Sequence, residues 1–248
     1  MRGVHSLVAA AIAAAAIAVP GTARAGVSPF GWLYGTDVIP ERGAEIQTWI
    51  WEENGKELPA NRRETWLGWG AVIGVTDRLE LALPVELLWR EAGGGAPSFT
   101  LRRFGAEARY RFVSQDPVNA PALAPLVRVA VVRDVSVRDR VHAEADLVAS
   151  YRAGRVQAGV DLGVRGDIGR TSHYELHPGV GVSIEVTCEL RLGAEAHAEL
   201  SLDDETTSWA AVGPSLAWTH GRFWLSGTFG IGVYQITAAP RLVWGILF

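Results

Sequence analysis

The sequence predicts an all-β chain: a closed antiparallel transmembrane β-barrel of twelve strands, with ten and fourteen as the neighbouring counts. Three observations predict it. The chain ends on Arg241 to Phe248 (RLVWGILF), where Leu242, Trp244, Ile246 and Phe248 share one side and the last residue is an aromatic ring beside the free carboxylate. That is the closing strand expected of an outer-membrane barrel. Apolar and charged residues alternate with period 2 in segment after segment. Finally, 48% of the residues are hydrophobic, yet beyond the N-terminal leader there is no run of the 18 or so apolar residues a spanning helix needs, so the apolar content is held in alternation.

The N-terminus comes first in order. Arg2 is followed by a run from Leu7 to Pro20 made almost wholly of Ala, Val and Ile, then by Thr22-Ala23-Arg24-Ala25. A basic start, a short apolar core and an A-x-A ending describe a secretory signal peptide cleaved between Ala25 and Gly26. The expected organisation is therefore a leader at 1–25 and one barrel domain at 26–248. The apolar run is too short for an anchor helix, and the absence of Cys at the cleavage point argues against a lipid anchor. Cleavage removes Arg2 and Arg24 and no acidic residue, so the exported chain is more acidic than the whole chain's net charge of -4, which gives no reason to expect nucleic acid as a partner. The lone cysteine, Cys188, excludes an intrachain disulfide and a Cys-rich metal site, and it reads as a small residue near a turn.

Twelve segments then carry the strand pattern, near 44–52, 62–74, 79–90, 99–112, 124–134, 140–151, 155–167, 171–185, 188–200, 206–219, 222–234 and 240–248. The third places Leu79, Leu81, Leu83, Val85, Leu87 and Trp89 opposite Glu80, Glu86 and Arg90, and the fourth places Phe104, Ala106, Ala108, Tyr110 and Phe112 opposite Arg103, Glu107, Arg109 and Arg111. In the seventh, Val156, Ala158, Val160, Leu162 and Val164 oppose Gln157, Asp161, Arg165 and Asp167; in the ninth, Leu190, Leu192, Ala194, Ala196, Ala198 and Leu200 oppose Glu189, Arg191, Glu195, His197 and Glu199. The fifth fits least well, because Arg128 and Arg133 fall on opposite faces, and a bulge there would change the count. Trp89, Tyr110, Phe112, Tyr151, Trp218, Phe223 and Phe248 sit near strand ends on the apolar faces, as interfacial girdles require.

An even count puts both chain ends on the periplasmic side. Short turns at Thr76-Asp77-Arg78, Arg152-Ala153-Gly154-Arg155, Val186-Thr187 and His220-Gly221, with a longer segment from Ser114 to Pro121, are then periplasmic. The outer connections run over 53–61, 91–97, 136–139, 168–170, 201–205 and 235–239. These loops are too short to fold deeply inward, so any constriction is expected from wall residues.

The charged faces must line the enclosed lumen. Its expected lining is Glu86, Arg103, Glu107, Arg109, Arg111, Arg128, Glu144, Asp146, Asp161, Arg165, Glu175, Arg191 and Glu195, with Glu80, His142, Asp167, His173, His177, Glu189, His197 and Glu199 on the same faces. Carboxylates outnumber arginines there, and a wet bore so lined favours cations, with Glu107, Glu144, Glu175 and Glu195 as the governing carboxylates. The competing reading is a lumen plugged by Arg–carboxylate pairs, since twelve strands enclose little more than one layer of long side chains. His173 and His177 are ~13 Å apart along one strand face and do not share a metal there; a His and carboxylate cluster would need a cross-strand register that sequence does not supply. No metal, cofactor or catalytic residue is therefore assigned, and no enzymatic activity is expected. Ser172 beside His173 points to the opposite face and no Gly-x-Ser-x-Gly elbow exists, which leaves an integral outer-membrane hydrolase as the remote alternative. Glycine stretches at Gly68 to Gly74 and Gly227 to Gly232 lack a phosphate-loop Lys and read as wall glycines relieving crowding.

Tyr34-Gly35-Thr36-Asp37-Val38-Ile39-Pro40-Glu41-Arg42-Gly43 leading into Glu45-Ile46-Gln47-Thr48-Trp49, together with Gly74-Val75-Thr76-Asp77-Arg78-Leu79-Glu80-Leu81, Gly213-Pro214-Ser215-Leu216 and Arg222-Phe223-Trp224-Leu225, resembles an uncharacterised, porin-like or transporter-like group of proteobacterial outer-membrane barrels. The resemblance covers most of the exported chain. It implies barrel closure, location in the outer membrane of a Gram-negative bacterium and passage of small solutes. The expected partners are outer-membrane lipid, the barrel-assembly machinery during insertion, and small hydrophilic solutes passing passively, with cations favoured by the charge of the lumen. A structural or partner-binding barrel with a filled lumen is the alternative. The alanine runs Ala143, Ala145, Ala149 and Ala194, Ala196, Ala198 on the lipid face fit thin lipid contacts and a homo-oligomer seam equally.

Overall fold

A computed structural model describes residues 28–55, 63–91, 96–116, 120–137, 140–169, 172–203 and 207–248. The expected leader lies outside these residues, as do parts of most of the expected outer loops and of the periplasmic segment from Ser114 to Pro121. The described chain forms twelve strands: β1 (Ala44–Glu52), β2 (Arg63–Thr76), β3 (Leu79–Glu91), β4 (Ser98–Arg111), β5 (Leu123–Asp134), β6 (Val141–Ala153), β7 (Val156–Ile168), β8 (His173–Glu185), β9 (Leu190–Ser201), β10 (Trp209–His220), β11 (Phe223–Tyr234) and β12 (Ala238–Leu247). Each pairs antiparallel with its sequence neighbour and β1 pairs with β12, so the sheet is a closed barrel. Closure is what hydrocarbon demands, because an open edge would leave backbone groups without water or a partner.

The seam runs in unbroken register from Glu45↔Leu247 to Trp51↔Arg241. The Phe248 amide donates to the Ala44 carbonyl at 2.8 Å, so the terminal aromatic residue pins the last strand to the first. The fifth strand holds the expected count: its pairings with β4 and β6 show no shift. Arg128 faces inward and is buried, whereas Arg133 lies at the outer rim and donates to the Arg140 carbonyl at 2.7 Å, so its awkward phase needs no bulge. Shifts occur at Gly74/Thr76, Glu86/Leu87 and Ala210/Ala211 instead. Two-residue connections close β6–β7 and β10–β11, where Gly154 and Gly221 adopt φ of 57° and 58°, the left-handed backbone that primed hairpin turns require.

The apolar phase of every strand faces out. Leu83, Val131, Leu147, Val160, Leu162, Val180, Phe229 and Ile231 are exposed near mid-strand, while Tyr110, Phe112, Tyr151, Trp218 and Phe248 ring the periplasmic end. The polar phase is buried inside: Glu80, Arg128, Asp146, Asp161, Glu175, Glu195 and Glu199 are among the least accessible residues of the chain. A protein that exposes its leucines and buries its carboxylates has a bilayer for solvent.

Inside this wall lies a segment the sequence reading did not place there. Residues 28–43 precede β1 and rise into the lumen, turn back near Trp32, and return to the periplasmic rim at Pro40. Phe30, Trp32, Leu33, Val38 and Ile39 are all buried. The expectation that wall residues alone make the constriction is therefore corrected. Loop length bears only on the outer connections, whereas this filler comes from the N-terminal side.

Candidate functional site

The inserted segment is anchored first at the periplasmic rim. Its last residues lie against the β2–β3 turn, where the Arg42 amide donates to the Gly74 carbonyl at 3.2 Å, the Gly74 amide donates to the Gly43 carbonyl at 2.9 Å, and Ile39 donates its amide to the Glu80 carboxylate at 2.7 Å. A Cβ on Gly74 would sit 1.9 Å from the Pro40 oxygen, so only glycine lets the strand pass this close. The stretch from Tyr34 to Gly43 and the β2–β3 turn from Gly74 to Leu81, far apart in sequence, thus form one contact. Arg111 adds a second anchor by donating to the Thr36 carbonyl at 2.9 Å and pairing with Asp37 at 2.5 Å.

Higher in the lumen the wall carboxylates act as acceptors for the segment's backbone. Glu195 on β9 accepts from the amides of Gly31 at 2.7 Å, Trp32 at 3.2 Å and Leu33 at 3.1 Å, and it also binds the Thr228 hydroxyl. Asp161 on β7 accepts the Tyr34 amide at 3.1 Å. Buried amides in an irregular segment need such partners, because neither strand nor water supplies them. The side chains fill hollows at luminal glycines: a Cβ at Gly181 would meet the Phe30 ring at 2.5 Å, and one at Gly159 would meet it at 2.9 Å. These glycines, on the polar phase of β7 and β8, are the mark of the insertion that the sequence carries. The aromatic run Phe30, Trp32, Tyr34 just before the first strand is its complement.

The expected lumen residues are organised by register. Glu80 faces Arg109, Arg109 faces Arg128, and Arg128 faces Asp146 across four adjacent strands. Ion pairs follow that line: Arg109 to Glu80 at 3.2 Å and to Glu107 at 2.8 Å, and Arg128 to Glu107 at 2.7 Å, Glu144 at 2.9 Å and Asp146 at 2.7 Å. Both guanidinium groups lie over the Tyr34 ring, at 4.9 and 4.2 Å from its centre, so the inserted segment caps the network by cation–π contact. Toward the outer end Arg103 pairs with Glu86 at 3.6 Å and covers Trp66 at 4.7 Å, while Arg165 binds Glu175. Arg191 lies at the periplasmic mouth with Ser183 and Glu185, and Glu189 sits in a turn at the same mouth, paired with His220.

Trp89 and Trp218 lie on the lipid face as expected, whereas Trp49, Trp51, Trp66, Trp209 and Trp224, to which the sequence assigns no role, point inward. Trp51 stacks on Trp66 at 5.0 Å, and Trp32 meets Trp51 at 5.9 Å and Trp209 at 5.5 Å. Their indole N–H groups are matched to luminal acceptors: Trp49 to Glu86 at 3.1 Å, Trp209 to Glu199 at 3.0 Å, and Trp224 to Glu45 at 2.8 Å. Alternation identifies these positions as inward, but an aromatic ring reads as apolar until its acceptor is known.

Between the inserted segment and the wall lies a cavity of about 180 Å³. It runs from Arg165, His177, His197 and Glu199 near the outer end, past Tyr34 and Arg128, to Asp37. A second cavity of about 100 Å³ at the periplasmic mouth is lined by Asp37, Arg152, Glu185, Cys188 and Arg191. Asp37 borders both.

Neither a protein-family model nor a curated protein sequence matches the chain. Among solved structures, it is similar to an outer membrane channel from Pseudomonas putida F1, with 12% identity over 85% of this chain and 97% of that chain and a TM-score of 0.58. It is also similar to the translocator domain of the autotransporter NalP from Neisseria meningitidis, with 10% identity over 98% of this chain and 96% of that one and a TM-score of 0.52. The likeness is one of fold. The closed wall, the outward apolar belt and the aromatic ring give the chain the architecture of an outer-membrane β-barrel.

Proposed function

We propose that this barrel is a narrow channel for small hydrophilic solutes, with the segment 28–43 as its constriction and no catalytic step. The observation that carries the reading is a pair of cavities that share Asp37, lined by charged and apolar groups alike: one lies along the lumen beside the inserted segment and the other lies at the periplasmic mouth. The Arg111–Asp37 pair stands between them. Carboxylates still outnumber arginines along the larger cavity, which supports a cation preference. That preference is weakened because most of these carboxylates already hold a guanidinium partner.

A barrel with a filled, structural or partner-binding lumen is the second reading, and the tight seating of Phe30, Trp32 and Leu33 favours it. Planar-bilayer conductance separates the two. The channel reading expects small steps from the refolded barrel, and larger ones from a chain lacking residues 28–37 and from Gly181→Val, which drives Phe30 off its seat. If the parent and both variants give no channels across a range of salt and pH, the barrel is not a pore.

A further inference from the structure

The register of β8 against β9 brings together a set of metal-binding groups that sequence spacing keeps apart. Pairing runs from Leu176↔Leu200 to Gly179↔His197, which sets His177 directly opposite Glu199. The pairs between those two are missing from the ladder, at the point where Pro178 has no amide to give. Glu175 is two residues before His177 on the same inward face, with its Oε2 3.5 Å from His177 Nε2. One ligand atom from each of Glu175, His177 and Glu199 lies within 4.8 Å of the others. Glu175 and Glu199 are each only 7% exposed, so this is no surface acidic patch.

From this geometry we infer that Glu175, His177 and Glu199 form a binding site for one divalent transition-metal ion, of which zinc is the best fit. One imidazole and two carboxylates suit a borderline cation, and three protein ligands leave a fourth position for water. That position has room and access, because His177 and Glu199 line the larger cavity. Both carboxylates already hold a donor: Trp209 Nε1 donates to Glu199 Oε2 at 3.0 Å, and Arg165 binds Glu175 at Oε2, the oxygen that also faces His177, so the metal takes the other oxygen of Glu175 or shares this one. Supports of this kind fix metal ligands in place. Ligand atoms on zinc bonds of about 2.1 Å stand about 3.4 Å apart in a tetrahedron, so side-chain rotation must draw the trio in by about 1 Å.

Equilibrium binding to the refolded barrel in detergent tests this with no gradient across a membrane, so its result is independent of whether solutes pass. Titration with zinc chloride is expected to give one tight site per chain, and cobalt chloride is expected to give the visible absorption of a tetrahedral ion. His177→Gln and Glu199→Gln should each weaken zinc binding at least tenfold, while His220→Gln, at the exposed His220–Glu189 pair, should leave it unchanged. The cobalt spectrum needs no variant, so the site remains testable if either luminal substitution fails to fold. Absence of zinc binding by the parent barrel overturns the assignment, as does binding that survives both luminal substitutions or disappears with His220→Gln.

Discussion

Glu195→Gln isolates the contact that holds the inserted segment at mid-lumen. The carboxylate accepts three consecutive backbone amides, with donor distances from 2.7 to 3.2 Å, and the Trp32 amide lies 3.2 Å from each of its oxygens. A glutamine of equal size keeps one acceptor oxygen and turns an NH2 group toward the remaining donors. A hydrogen bond to a charged acceptor contributes about 2 kcal/mol and a neutral one about 1 kcal/mol, so three such bonds lose about 3 kcal/mol. At 1.4 kcal/mol per factor of ten, the segment's local opening constant rises by about a hundredfold. Amide hydrogen exchange reads that constant directly when reclosing is fast. The amides of Gly31, Trp32 and Leu33 should exchange about a hundred times faster than in the parent barrel. The Ile39 amide, held separately by Glu80 at 2.7 Å, should keep its rate. Unchanged exchange at Gly31 to Leu33 in a folded variant would refute the idea that Glu195 latches the segment. Uniform acceleration through the wall would show that the carboxylate serves the barrel as a whole.

Two further substitutions probe the wall. Arg128→Gln strips the guanidinium shared by Glu107, Glu144 and Asp146; breaking one side of a buried ion cluster costs about 3–5 kcal/mol, so thermal loss of the β-sheet circular dichroism signal should move to a clearly lower temperature, and an unchanged midpoint would mean the cluster is solvated. Leu147→Arg places a charge at mid-strand on the lipid face, where Leu147 is 64% exposed; urea-dependent folding into lipid vesicles should lose about 2–4 kcal/mol, and a neutral result would remove that face from the bilayer.

The phase of the strands was legible because a two-residue period is a local property: Glu107, Arg109 and Arg111 share a face whatever the strand pairs with. The same holds for the closing strand at Leu242 to Phe248 and for the periplasmic turns at Asp77-Arg78 and Gly154-Arg155. Strand ends drifted by up to three residues, as where β10 begins at Trp209 and not at 206 and β12 at Ala238 and not at 240, since hydrogen bonding to a neighbour sets an end and side-chain pattern does not.

What the sequence determined by itself was the material of each wall: which side chains meet lipid, which meet the lumen, and that the sheet must close. Only the tertiary structure decided what occupies the lumen and which luminal groups meet. Residues 28–43 have no period to betray them, because their amides are satisfied by Glu195, Asp161 and Glu80, carboxylates 41 or more positions away along the chain. His177 and Glu199 become neighbours only through the β8–β9 register, and register depends on the three-dimensional closure of twelve strands at once.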